Sequence, residues 1–189
     1  MTLPASGAIS LADLRTEYVG GSSSISLGDL YRGGANIKAK EGDNPATNLA
    51  ASVPTSGAIN ISDFHGTAKG FKATVGSSTT NVDINTLFGG DYDTNYPKVV
   101  DINSGVTIGG SGDDAIDIPS GLAGGLTINN AGSILGFGGA ANGGAGGNAI
   151  SNSASGVTIN NTGLVAGGGG GGGNGGTGGN GSSTVTTTS

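Results

Sequence analysis

Few side chains in this chain of 189 residues carry reactive groups, and their spacing limits the chemistry they can support. His65 is the single histidine and cysteine is absent. A Ser-His-Asp relay could therefore form only around His65, which has no Gly-x-Ser-x-Gly elbow near it. Zinc needs three or four Cys, His or carboxylate ligands together, and no such cluster is written here. Asp91, Asp93 and Asn95 stand where a calcium loop places its first three oxygen ligands, and Asp113, Asp114 and Asp117 add carboxylates further on. The loop then fails: Tyr96 replaces the turn glycine and Ile102 replaces the closing glutamate, so the segment reads as a solvated turn. Phosphate loops end in Gly-Lys-Ser or Gly-Lys-Thr, and dinucleotide loops need a following helix and an acid. The glycine tracts have neither. No catalytic residue, metal or cofactor is expected, and a polysaccharide-cleaving enzyme ranks last because no paired carboxylates share a plausible cleft.

Those tracts belong to a unit that is written twice. Leu126-Thr-Ile-Asn-Asn-Ala-Gly-Ser-Ile-Leu-Gly-Phe-Gly-Gly is followed, 31 residues on, by Val157-Thr-Ile-Asn-Asn-Thr-Gly-Leu-Val-Ala-Gly-Gly-Gly-Gly. One supersecondary element is repeating. Within the tracts, Gly143 and Gly144, then Gly146 and Gly147, separate Asn142, Ala145 and Asn148; Gly175 and Gly176, then Gly178 and Gly179, separate Asn174, Thr177 and Asn180. A period of three is that of the polyproline II helix, which has no internal hydrogen bonds and would present two bare glycine edges for packing. Ordering glycine costs about 1–2 kcal/mol of backbone entropy per residue, so a lone tract would be a flexible linker. An ordered tract needs partners, from its own repeat or from other copies of the chain.

Composition narrows the class further. Apolar residues are 34% and aromatics 4%, with 42 glycines and no tryptophan, too little for one large core. Formal net charge is −6 with seven Lys plus Arg, which gives nucleic acid no basic surface to meet. Every charged residue lies at or before Asp117. No apolar run approaches the length of a membrane span, and the N-terminus lacks the charged and apolar segments of a secretory signal. The chain is expected to be made in a cytoplasm, with no membrane insertion and no disulfide.

The first third carries a different repeat. Ser6-Gly-Ala-Ile-Ser-Leu-Ala-Asp-Leu, Ser23-Ser-Ile-Ser-Leu-Gly-Asp-Leu and Ser56-Gly-Ala-Ile-Asn-Ile-Ser-Asp-Phe share one pattern. Ile9, Ile25 and Ile59 suit a short extended piece, and Ser10, Ser26 and Asn60 supply N-cap oxygens. Leu11 and Leu14, Leu27 and Leu30, and Ile61 and Phe64 then share one face of a single helical turn. Asp13, Asp29 and Asp63 sit in the first turn, where the helix dipole favours a carboxylate. Such turns are too short to stand alone. They either pack on one another as a small head or act as clips docked on other proteins, and the second reading leads.

Residues 33–54 are polar without apolar period and read as a linker inside an anchoring region 1–68. Residues 69–125 alternate as short strands, Phe71-Lys-Ala-Thr-Val, Asn81-Val-Asp-Ile and Lys98-Val-Val-Asp-Ile among them, predicting a small β sandwich or solenoid. Residues 126–189 form the glycine-rich repeat. The fold class expected is mainly β, with helical-turn segments at the front and a polyglycine II or solenoid-like part at the end.

The phrases Leu3-Pro-Ala-Ser-Gly-Ala-Ile-Ser-Leu-Ala-Asp-Leu-Arg-Thr-Glu and Ser24-Ile-Ser-Leu-Gly-Asp-Leu-Tyr-Arg-Gly-Gly resemble the N-terminal repeats of tailed-bacteriophage virion proteins. Gly156-Val-Thr-Ile-Asn-Asn-Thr-Gly with its glycine tract is similar to the receptor-binding ends of phage fibres and adhesins, and T-even-type adhesins imply a stack of polyglycine II helices. The resemblance implies a virion component, a tail fibre or tail-tip protein, docked by Ile9, Leu11, Leu14, Ile25, Leu27, Leu30, Ile59, Ile61 and Phe64 on other virion proteins. Copies are expected to associate, as a trimer before other states, and the glycine-rich end is expected to meet a host glycan or outer-membrane protein. A capsid decoration or head-fibre protein is the alternative within the class; a bacterial surface adhesin is the alternative outside it.

Overall fold

The computed structural model describes residues 2–42 and 44–176. At the front, α1 (Leu11–Leu14) and two 3-10 turns, Leu27–Leu30 and Ile61–Phe64, occupy the three repeated phrases. Each is fixed by its aspartate. The N–H of Ser10, Ser26 and Asn60 donates to Oδ2 of Asp13, Asp29 and Asp63, each at 2.8 Å. The aspartates thus close capping boxes, a more specific bond than the dipole attraction expected from sequence. Ser10 holds the Asp13 carboxyl below its ordinary value through side-chain and then backbone hydrogen bonds. Ser26 does the same to Asp29, backbone first.

The three turns pack on one another. Leu14, Leu30 and Phe64 are wholly buried, with Leu3, Ile9, Tyr18, Ile37, Ala50 and Val53 in the same core. Tyr18 meets Phe64 edge to face at 5.9 Å, and its hydroxyl donates to Thr67 Oγ1 at 2.5 Å. Burial pushes that phenol up to about 12. Ile9, Leu14, Leu30 and Phe64, expected as docking side chains, are enclosed within the chain. The reason is arithmetic of apolar area: one turn offers two or three side chains, but three turns with Tyr18 and Val53 close a core. Leu11 stays 41% exposed, and Ile25, Leu27, Ile59 and Ile61 are half-buried.

Residues 33–54 do more than link. Ile37, Ala50 and Val53 enter the head core and Ala46 enters the second core. β1 (Thr47–Asn48) pairs antiparallel with β2 (Phe71–Val75), Thr47 beside Lys72. Polar as it reads, the segment places a few small apolar residues where two cores meet.

From β2 onward the chain coils as a parallel β-solenoid. The first sheet continues from β2 through β5 (Lys98–Ile102), β8 (Leu126–Asn130) and β11 (Val157–Asn161). A second holds β3 (Thr79–Thr80), β6 (Thr107–Gly109), β9 (Ser133–Leu135) and β12 (Leu164–Ala166), and a third holds β4 (Val82–Asp83), β7 (Ile116–Ile118) and β10 (Ile150–Asn152). Three turns are complete, and β11 and β12 begin a fourth. Of the two architectures expected, the solenoid is the one formed. Period-two burial drives it: Ala73, Val100 and Ile128 stack in register inside, as do Ile108 and Ile134 of the second sheet. After β4, α2 (Ile84–Phe88) is capped by Asp83 Oδ1, which accepts from Asn85 N at 2.7 Å, and it buries Ile84 and Phe88 in the same core. β5 pairs with β8 over the whole of both strands, Lys98 beside Leu126 to Ile102 beside Asn130.

Candidate functional site

One inward position of the solenoid holds a cation. Lys98 is 1% exposed between Phe71 and Leu126, and its Nζ donates to the carbonyls of Thr94, Tyr96 and Ala123, each at 2.8 Å. Burial pulls the amine down to about 8, against the opposing pull of Asp91 and Asp93. Asp91, the first of the suspected calcium carboxylates, is itself fully buried and accepts from Glu41 N at 3.0 Å. Among the described residues no group of three or more His, Cys, Asp or Glu could hold a metal ion. His65 Nε2 lies 3.0 Å from the Gly7 carbonyl, tying the third turn of the head to the first. These groups fasten loops.

The outer face of the first sheet carries a polar ladder. Asn160 Nδ2 donates to Asn129 Oδ1 at 2.9 Å, Asn129 Nδ2 donates to Asp101 Oδ1 at 2.8 Å, and Lys72 Nζ pairs with Asp101 Oδ2 at 2.5 Å. Burial raises the Asp101 pKa, but the Lys72 and Asn129 hydrogen bonds and the Lys72 charge outweigh it and hold the carboxyl low. On the inner side, Asn130 Nδ2 donates to Asn161 Oδ1 at 2.7 Å, while its Oδ1 accepts from Gly132 N at 3.0 Å. The Asn-Asn phrase is thus a pair of ladders, one on each face, and it sets the register of β8 on β11.

Between β9 and β10 the chain leaves the solenoid and returns, and after β12 it leaves again. Three glycine tracts, 136–142, 144–147 and 167–172, then lie together. Gly136, Gly139 and Asn142 donate to the carbonyls of Ala166, Gly169 and Gly172 at 2.8, 2.7 and 2.9 Å. Gly168 and Gly171 donate to Gly147 and Gly144 at 2.9 and 2.8 Å. Gly147 and Gly144 in turn donate to Phe137 and Ala140 at 2.8 and 3.0 Å, and a bond at every third residue is the signature of neighbouring polyproline II helices, here one parallel and two antiparallel pairs. At several of the contact glycines no side chain could fit. A β-carbon on Gly168 would land on the Phe137 carbonyl, and one on Gly171 on the Ala140 carbonyl, whereas Gly169 and Gly172 face open space.

Of the tract residues named from sequence, Gly146 abuts Gly168 O, Gly147 lies against the Phe137 ring and Gly144 against the Ala140 backbone. Gly143, at φ +85°, sits at the turn with nothing beside it, and Gly175 and Gly176 likewise face open space. Gly178 and Gly179 lie outside the described residues. Sequence reasoning missed Gly136, Gly139, Gly168 and Gly171, because it followed the Gly-Gly pairs between polar residues; the unbroken run 167–173 hides its period. The turn joining the first two tracts, Ala140 to Gly143, is exposed and uncharged, and Asn142 adopts φ 71° in it.

No helix among the described residues is long and apolar enough to cross a membrane. The family model for phage tail fibre adhesin Gp38 matches residues 70–189, the solenoid and everything after it. No curated protein and no solved structure matches. The chain belongs to the phage tail fibre adhesin Gp38 family.

Proposed function

We propose that this tail fibre adhesin joins the rest of its fibre through the N-terminal head and meets the host surface with the turn at the end of its glycine bundle. The single observation that carries the reading is how that bundle is built. Backbone packed on backbone leaves no room for side chains and holds the excursion stiff, so the turn Ala140–Gly143 is presented without a further support. Its groups are amides, carbonyls and the Asn142 side chain, with no charge anywhere after Asp117. Such a surface suits a neutral polar target, a cell-surface glycan or an outer-membrane protein loop, and pre-organisation lowers the ordering cost of binding.

The head lies outside the residues matched to the family, which fits a part adapted to a different partner. It keeps Leu11 41% exposed, flanked in sequence by its capping box. A neighbouring fibre protein covering Leu11 and the half-buried Ile25, Leu27, Ile59 and Ile61 would complete their burial.

Competition for adsorption tests both halves. Purified chain is expected to block adsorption of the phage that carries it. Ala141→Glu should abolish that block while leaving the melting temperature unchanged, and Leu11→Asp should keep the block yet fail to enter fibres. An Ala141→Glu chain that competes as well as the unaltered one would overturn the host-contact assignment.

A further inference from the structure

The first turn of the solenoid, although the head precedes it in the chain, is only partly closed. β1 covers the first sheet beside Phe71 and Lys72, while β3 and β4 have no strand beyond them. The inward column of the second sheet runs from Ile134 through Ile108, both fully buried, to Thr79, which is exposed. Beside it lies a groove of about 440 Å³, floored by Val75, Val82 and Leu87 and rimmed by Thr74, Thr79 and Thr80.

Three features of this groove describe an occupant. Asn103 N donates to Val75 O and Asn81 N donates to Gly109 O, so strand alternation turns the N–H and C=O of Thr74 and Thr80 away from the next coil, toward the open edge. Residues 73–82 contain no charge and no proline, the guards that keep a free β-edge from pairing. At the end of the groove the charge is one-sided. Asp83 lies beside Asp117 on the outer face, and among the described residues neither has an ion pair. Like charges opposed across strands repel. After burial, these two carboxylates push the Tyr92 phenol up.

We propose that an extended segment of the neighbouring fibre protein adds to this edge as one more strand, uncharged along residues 74–80 and carrying a lysine or arginine where it passes Asp83. Its backbone meets the outward groups of Thr74 and Thr80, and one apolar side chain fills the groove over Val75, Val82 and Leu87. Its cation relieves the opposition of Asp83 and Asp117. A second copy of this chain fits worse, since the same edge would bring the same two carboxylates to a chain of net charge −6. The edge belongs to the turn on which the head is built, through β1 on β2. The proposal therefore rests on the reading that the chain joins its fibre at the head end, and it names the kind of contact made there.

Particles grown without this chain, mixed with the purified full chain and sedimented, read the result. The unaltered chain is expected to sediment with them, and its Thr74 and Thr80 amides to exchange hydrogen more slowly on the particle than free. Thr80→Pro removes an outward N–H and leaves the bonds between β3 and β6 in place, so it should weaken uptake about tenfold with melting unchanged. Asp83→Asn still caps α2 but carries no charge, and should weaken uptake and flatten its dependence on salt. Uptake of Thr80→Pro equal to that of the unaltered chain would overturn the proposal. If Leu11→Asp is then excluded from particles, the head joins the fibre by its own surface alone; if Leu11→Asp enters as well, the joining reading falls with the proposal. A free chain that sediments as an oligomer, and that Thr80→Pro returns to monomer, would give the edge to a second copy and overturn the proposal too.

Discussion

The solenoid and the glycine bundle are neighbours along the chain, yet they are held together in opposite ways. Inside the solenoid the backbone bonds are ordinary parallel ladders, and side chains such as Ile108, Ile128 and Ile134 supply the driving force by leaving water. Inside the bundle there are almost no side chains to bury. Amide meets carbonyl at every third residue, and glycine is required because Gly136, Gly139, Gly168 and Gly171 each touch another backbone. The bundle cannot offset the entropy of ordering glycine by itself. It is ordered because the solenoid delivers its tracts in register, Leu135 beside Ala166. One region makes its own stability, and the other borrows alignment.

That contrast can be broken at several points, the core first. Ile128→Ala should cost about 2–5 kcal/mol in thermal unfolding, because the fully buried site cannot collapse around the loss. Bundle and solenoid should then melt together, since the second supports the first. Gly168→Ala should cost roughly 1–3 kcal/mol and act on the bundle alone. Hydrogen exchange at Gly136 and Gly139 would speed up while exchange at Ile128 stayed slow. Gly169→Ala, one residue away and facing open space, should move stability by no more than about 0.5 kcal/mol. Equal effects at 168 and 169 would remove the case for a packed bundle. Asn129→Ala takes the middle rung from the outer ladder and should cost about 1 kcal/mol, read as a lower denaturant midpoint with unchanged slope.

The smallest effect is acid. Asp101, Asp13 and Asp29 are held below their ordinary value in the folded chain. Their contribution is complete above the unfolded carboxylate pKa of about 4 and is lost as pH falls through the lower folded values. Acid titration should therefore loosen the head caps and the Lys72–Asp101 corner first. Loss of bundle protection ahead of these would contradict the division drawn above. Asp101→Asn should flatten the part of the acid profile that belongs to the solenoid.

How much of this was legible in the sequence follows the same physics. Turns three and four were readable because Thr-Ile-Asn-Asn is written twice, and the structure stacks Asn129 on Asn160 and Asn130 on Asn161. Turns one and two were readable only as unassigned strands. Lys98 stands at an inward position between the apolar Phe71 and Leu126, and three loop carbonyls make that tolerable. In the head, the capped turns were anticipated from Ser10, Ser26 and Asn60, while their packing on one another was only the second of two readings. Each phrase seen alone lacks a partner, and Ile37, Ala50 and Val53 look like scattered residues in a polar stretch until the chain is folded. The tract glycines that matter most were missed because identical neighbours carry no phase.

The glycine bundle has one more property that follows from its being made of amides alone. Nothing beyond Asp117 can gain or lose a proton near neutrality, and nothing there contains sulfur to be oxidised. Shifts of pH around neutrality and oxidants that act on sulfur therefore leave the covalent and charge state of residues 118–189 unchanged.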